Sequence, residues 1–251
     1  MNAMIIAPKS RRNTALALIA VALIGVNACS DNDGPAGYDP TGRVARVRFV
    51  NATPDTAQAN AISVRVDSVP VSPPFGGLAY RAATAYVPAY LGTRRLLVSK
   101  SATSTGIVAQ DLALADSGDY TVLLAGPVGS AISPVVLRDN NAPPAAGSIK
   151  LRFVNAAPST AALDVYVTAA TTDLATVSPT VARLAPNEAS AYFEPAAASY
   201  RVRFTTAGTK TVVLDVPAAI YAAGQIRTII AFDKPGGGSP LASTVLVDRN
   251  P

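Results

Sequence analysis

Arg48-Phe49-Val50-Asn51-Ala52 recurs as Arg152-Phe153-Val154-Asn155-Ala156, and each copy is followed by a proline, Pro54 or Pro158. The resemblance extends outward from this stretch. Ile62-Ser63-Val64-Arg65-Val66 answers Leu163-Asp164-Val165-Tyr166-Val167, Ala85-Tyr86 answers Ala191-Tyr192, and Arg95-Leu96 answers Arg201-Val202. Gly118 answers Gly224, and residues 135–140 (VVLRDN) answer 245–250 (VLVDRN). The order holds throughout at a spacing of about 100–110 residues, the mark of a chain built from repeated structural units. A unit of that length sustains its own core. The expected domains are therefore 43–140 and 149–251, joined by a short, proline-stiffened linker over 141–148 (NAPPAAGS).

Within each unit the apolar residues alternate with polar ones. Ala45, Val47 and Phe49 alternate with Arg46 and Arg48, and Ile149, Leu151 and Phe153 with Lys150 and Arg152. Period two marks strands with one face buried and the other in water. Ile62, Val64 and Val66, then Leu163, Val165 and Val167, repeat the pattern, as do Val202 and Phe204. Tyr120, Val122 and Leu124 form a further strand, matched by Ile226, Thr228 and Ile230. Turn residues such as Ser117-Gly118-Asp119, Ala207-Gly208-Thr209 and Gly236-Gly237-Gly238 separate the runs. No stretch has helical periodicity. The expectation is an all-β chain: two tandem antiparallel β-sandwiches, immunoglobulin-like or transthyretin-like, with about seven strands each.

Residues 1–28 read as an address. Lys9, Arg11 and Arg12 precede an uncharged apolar run over 15–26, the layout of a secretory signal peptide and too short to span a membrane. Removing those three cations takes the net charge from +5 to +2, which leaves no basic footprint for nucleic acid. The only cysteine, Cys29, follows at once, so no internal disulfide forms. Val26-Asn27-Ala28-Cys29 resembles the bacterial lipobox, with Val26 where Leu is usual. That resemblance implies a diacylglyceryl thioether on Cys29, cleavage before it and acylation of the new amine. By the same resemblance Ser30 favours the outer membrane. Residues 29–42 then form a polar, flexible tether.

The RFVNA-x-P opening, the D/S-V-x-V second strand and the closing V-L-x-D-N, each present twice, resemble the domain of unknown function (DUF) 4397 family. The resemblance covers essentially all of the chain after Cys29. It implies a bacterial lipoprotein with one or two such domains and carries no established activity. Residues 69–77 (VPVSPPFGG) form a proline-rich loop where the second copy has 168–178.

The inventory of chemistry is short. With no His and one Cys, neither a Ser-His-Asp arrangement nor a zinc site is available, and no metal or cofactor is expected. Asp31-Asn32-Asp33-Gly34 opens like a calcium loop whose remainder is missing. Lys100, Lys150, Lys210 and Lys234 lack an S-x-x-K context. The carboxylates Asp67, Asp111, Asp116, Asp119, Asp164, Asp173, Glu188, Glu194 and Asp215 lie mostly at turns and strand ends, and no spacing selects a catalytic pair. Asn51 and Asn155 suit side-chain bonds that shape the following turn. Tyr86 and Tyr192 occupy equivalent positions, as core or interface residues would. Tyr80 and Tyr90 have no aromatic counterpart and are the ligand-binding candidates. The sequence thus describes a non-catalytic envelope lipoprotein, membrane-bound through its lipid, whose sandwiches contact envelope proteins or serve a structural role; the alternative is a module for cell-wall or surface polysaccharide.

Overall fold

The computed structural model describes residues 42–54, 61–71, 77–101, 106–126 and 132–250. The expected signal peptide, Cys29, the calcium-like stretch and all but the last residue of the expected tether lie outside these residues. Eight strands come from the first repeat: β1 (Val44–Ala52), β2 (Ile62–Val66), β3 (Val69–Pro70), β4 (Val87–Tyr90), β5 (Gly92–Lys100), β6 (Gly106–Leu114), β7 (Asp119–Ala125) and β8 (Ser133–Asp139). Eight more follow: β9 (Lys150–Ala156), β10 (Leu163–Thr168), β11 (Val181–Leu184), β12 (Glu188–Ala189), β13 (Ser199–Thr206), β14 (Val212–Ile220), β15 (Ile226–Phe232) and β16 (Ala242–Arg249). A 3-10 turn, Leu174–Thr176, starts at Asp173, whose carboxylate accepts from the Ala175 amide.

The strands form four four-stranded sheets, ordered β3-β2-β5-β6, β4-β1-β7-β8, β12-β9-β15-β16 and β11-β10-β13-β14. The order is the same in both halves, so the repetition seen in sequence is also a repetition of topology. Short edge strands bring each sandwich to eight strands. Pairing is antiparallel except at the centre of each inner sheet, where β1 runs parallel to β7 and β9 to β15. Parallel strands need cover on both faces, and these have it: every residue of β7 and of β9 is buried.

Three apolar layers supply that cover. The first sandwich closes around Phe49, Val64, Leu96, Val98, Val122 and Leu124. The second closes around Phe153, Val165, Val202, Phe204, Ile229 and Ala231, with Phe153 and Phe204 edge to face at 6.2 Å. A third layer lies between the two inner sheets and joins Val50, Ala52, Leu123 and Ala125 to Val154, Ile230, Phe232 and Leu246. The two sandwiches therefore stack into four layers of sheet.

Turn chemistry sets the corners. Asp67 and Ser68 both have positive φ, 49° and 70°, the two-residue hairpin geometry that matches strand twist. At Gly77 (φ 66°) an added Cβ would stand 1.9 Å from Ser101 Oγ and 2.8 Å from the Ile62 carbonyl, so only glycine lets the chain pass there.

Two expectations require correction. The solvated face expected of β1 and β9 is solvated only at Arg46: Arg48, Lys150 and Arg152 are 3, 3 and 2% exposed, because the other inner sheet covers the two arginines, while the segment at 140–142 and Glu194 cover Lys150. The register of the closing strands also moves by one residue. Arg48 lies opposite Thr121 and Arg152 opposite Thr228, so Thr121 answers Thr228, and Val122 and Leu124 answer Ile229 and Ala231. Thr121 and Thr228 face Leu137 and Leu246, which aligns Asp139 with Asp248. A one-residue slip reverses every side chain of a strand, so this correction decides which residues meet across the centre.

The middle layer ties the repeats together, and the intact protein should unfold in one calorimetric transition. Phe232→Ala removes a fully buried ring from that layer and should cost about 3–5 kcal/mol, splitting the transition into two.

Candidate functional site

The residues quoted first from the sequence converge between the two inner sheets. The Arg48 Nε donates to Thr121 Oγ1 at 2.8 Å, and Thr121 donates to Asp139 Oδ2 at 2.6 Å. In the second repeat Arg152 Nε donates to Thr228 Oγ1 at 3.2 Å, and Thr228 donates to Asp248 Oδ2 at 2.6 Å. The ion pairs then cross between repeats. Arg152 Nη2 meets Asp139 Oδ1 at 2.6 Å, and Arg48 Nη2 pairs with Asp248 Oδ1 while standing 3.8 Å from Asp139 Oδ2. Both carboxylates are fully buried, and the two guanidiniums nearly so. Tyr86 and Tyr192 close the cluster with their ring faces 4.7 and 4.9 Å from the Arg48 and Arg152 Cζ atoms.

The two halves of the cluster are not electrostatically equal. Tyr86 Oη donates to Asp139 at 2.5 Å, whereas Tyr192 Oη accepts from the Asn140 amide at 3.2 Å. Asp139 therefore receives two hydroxyl hydrogens, and Asp248 receives one. Burial pushes the Asp248 carboxyl above its ordinary range against the pull of Arg48. Burial pulls hardest on Arg152, but the charge and hydrogen bond of Asp139, with Tyr192 and Asp248, together outweigh it and hold the guanidinium above its usual value. Burial lifts the Tyr192 phenol to about 12. The connecting segment is pinned to this cluster. Asn141 Nδ2 donates to Asp119 at 2.6 Å and to Tyr86 Oη at 3.3 Å, and Lys150 Nζ donates to the Ala142 carbonyl at 2.9 Å.

Asn51 and Asn155 are fully buried and shape the backbone. Their Oδ1 atoms accept from Thr53 N at 3.0 Å and Ala157 N at 3.2 Å, the expected local turn. Their Nδ2 atoms donate to the Leu78 and Leu184 carbonyls, bolting the edge segments to the central strands.

The two ligand candidates are far apart in role. Tyr80 is half-buried at the seam; its hydroxyl donates to the Asp233 carbonyl at 2.8 Å, and its ring meets Phe232 edge to face at 5.9 Å. Tyr90 is 45% exposed and lines a groove of about 620 Å³ between the edge strands β3 and β4. Val66, Val69, Val71, Pro88 and Ala89 form most of its wall, with Asp67, Arg94 and Arg95 at the side. Asp67 is occupied there, accepting from Arg95 N at 2.7 Å and Arg94 Nη1 at 3.2 Å. The structure thus does not bring Tyr80 and Tyr90 into one groove.

The carboxylates picked out in the sequence are engaged singly. Asp111 pairs with Arg95, Asp116 with Arg138, Asp119 with Arg46, Asp215 with Arg201, and Glu194 with Lys150. Asp164 accepts from the Arg183 and Gly208 amides. Among the described residues no three metal-ligand side chains gather. The two carboxylates that pair with arginines across the repeats, Asp139 and Asp248, are not among those picked out in the sequence. Their signal lay in the closing motif, one Asp per repeat, read together with one buried-parity Arg per opening strand.

Asp139→Ala should cost about 3–5 kcal/mol in chemical denaturation, because Arg152 is left buried without its counter-charge. Asn155→Asp keeps the shape but replaces the donor facing the Leu184 carbonyl with an acceptor. It should cost about 2 kcal/mol or more, and retained stability would show that this bond is dispensable.

No curated protein matches the chain. Among solved structures, a family 26 carbohydrate-binding module from Eubacterium rectale Amy13K, in complex with maltoheptaose, is 7% identical over 81% of this chain and 98% of its own, at a TM-score of 0.25. Family 41 carbohydrate-binding modules from streptococcal virulence factors are 12% identical over 78% of this chain and 98% of theirs, at 0.26. The Bacillus anthracis TIE protein is 14% identical over 77% of this chain and 34% of its own, at 0.22. Scores this low carry no argument about architecture or ligand. The family comparison is of another kind. Over residues 45–166, from β1 of the first sandwich into β10 of the second, the chain matches the domain of unknown function DUF4397, the family its repeated RFVNA openings resemble.

Proposed function

We propose that this chain is a non-catalytic lipoprotein of the bacterial cell envelope, held in the outer membrane by lipid on Cys29, whose double sandwich is a rigid surface for protein–protein or structural contacts. The observation that carries the reading is the seam. Cross-paired charges, the middle apolar layer and the pinned segment at 140–142 fix the two sandwiches as one body. A body fixed in advance loses little freedom on meeting a partner. The lipid would confine it near the membrane and raise its effective concentration toward neighbours there. Two or more acyl chains suffice for stable anchoring, where one does not.

A second reading, a polysaccharide-binding module, draws on Tyr90 alone. Its ring is exposed in an apolar-walled concavity, the kind of place where ligands are held. Pull-down of the lipoprotein from its own envelope, with mass spectrometry of partners and of the N-terminal peptide, separates the two. A stoichiometric protein supports the first reading; co-purifying polysaccharide released by Tyr90→Ala supports the second. Cys29→Ser should move the processed protein from the membrane fraction to the soluble fraction. Membrane retention of the processed Cys29→Ser protein would overturn the lipid anchor.

A further inference from the structure

The chain enters the first sandwich at the corner that holds the Tyr90 groove. Val44, the first residue of β1, lies directly opposite Tyr90 in the β1–β4 register, so the two side chains stand on one face. Val69, on the edge strand β3, lines the groove with Tyr90. Val44, Tyr90 and Val69 are 37, 45 and 62% exposed, large apolar side chains at the surface of one corner. Such groups mark contact surfaces. The equivalent corner of the second sandwich lacks them: the register places Ser148 opposite Ala196 there. The two corners share a backbone plan, so the difference lies in side chains, and the corner with Val44 and Tyr90 is the one where the chain enters the fold.

We propose that this corner rests on the membrane surface, with Val44, Val69 and Tyr90 in the lipid interface. The inference depends on the reading that Cys29 is lipidated, and it adds a second, non-covalent contact to that anchor. The occupant follows from where the remaining chain leads. From Cys29 to Gly42 the chain reaches at most about 45 Å, and it joins the fold two residues before Val44. A tethered apolar corner meets the bilayer at high effective concentration, so even a shallow contact is populated. Tyrosine suits such a boundary, because its ring is apolar and its hydroxyl stays hydrated. The contact would give the four-layer stack one preferred orientation to the membrane instead of leaving it to swing on its tether.

The test uses the intact lipoprotein reconstituted into vesicles of phosphatidylethanolamine and phosphatidylglycerol. With the Cys29 thiol occupied by lipid, an environment-sensitive fluorophore is placed by Val69→Cys or, as a control, by Ile220→Cys; Ile220 is 85% exposed in the second sandwich. Emission at position 69 should shift to the blue and be quenched by brominated lipid at least several-fold more than emission at 220. Tyr90→Asp should abolish that difference. Protein that floats with the vesicles while position 69 reports water overturns the inference and leaves the anchor standing. Protein that fails to float overturns the anchor itself, and this inference with it. Equal quenching at 69 and 220 overturns the proposed orientation. A label at 69 that responds to added envelope polysaccharide but not to lipid overturns it in favour of a glycan groove.

Discussion

Two guanidinium groups, those of Arg48 and Arg152, are buried between two sheets, and the rest of the molecule is arranged around keeping them there. A guanidinium does not release its proton, so its charge must be matched in place. Each arginine has a threonine on its parallel neighbour and an aspartate on the other repeat as partners. Neither sandwich alone holds a complete set. This reciprocity explains why the opening and closing motifs of each repeat occur together: the opening supplies a cation and the closing an anion, and each serves the other half of the chain.

The same constraint accounts for the strand arrangement. A parallel pair at the centre of a sheet is stable when both faces are covered. One face of β1 and β7 is covered by the first sandwich core, and the other by the inner sheet of the second repeat. The apolar middle layer and the charged cluster therefore share one interface. The layer contributes most of the non-directional attraction. The charges are weak evidence for added stability, but their geometry admits one register of sheet on sheet.

Duplication leaves the repeats free to differ away from this interface, and they do. On the outer face of the second sandwich, Lys210 reaches across to the Tyr166 hydroxyl and the Val177 carbonyl, and Arg203 holds Thr168 and the Thr172 carbonyl. A folded segment with its 3-10 turn is fastened there. The first sandwich instead has the groove beside Tyr90. Even within the cluster, Tyr86 serves a carboxylate and Tyr192 a backbone amide, so the near-twofold relation is broken where the connecting segment passes.

The sequence by itself determined the repeat, the strands and the inward parity of Phe49, Phe153, Val64 and Val165, because period two and turn residues act over a few positions. It also determined the turn-shaping role of Asn51 and Asn155, whose bonds run two residues along the chain. It could not assign the other parity. An arginine alternating with apolar neighbours reads the same whether water or a second sheet lies beyond it. The drift of the spacing between repeats likewise hid the register of β15 and β16, where one residue decides which face a threonine or aspartate takes. Only the tertiary structure decided that the arginine face is an interface and that Tyr80 belongs to the seam while Tyr90 lines an open groove. Those assignments depend on partners in the other repeat, such as Asp248 for Arg48, Asp139 for Arg152 and Asp233 for Tyr80, and no local pattern encodes such pairings.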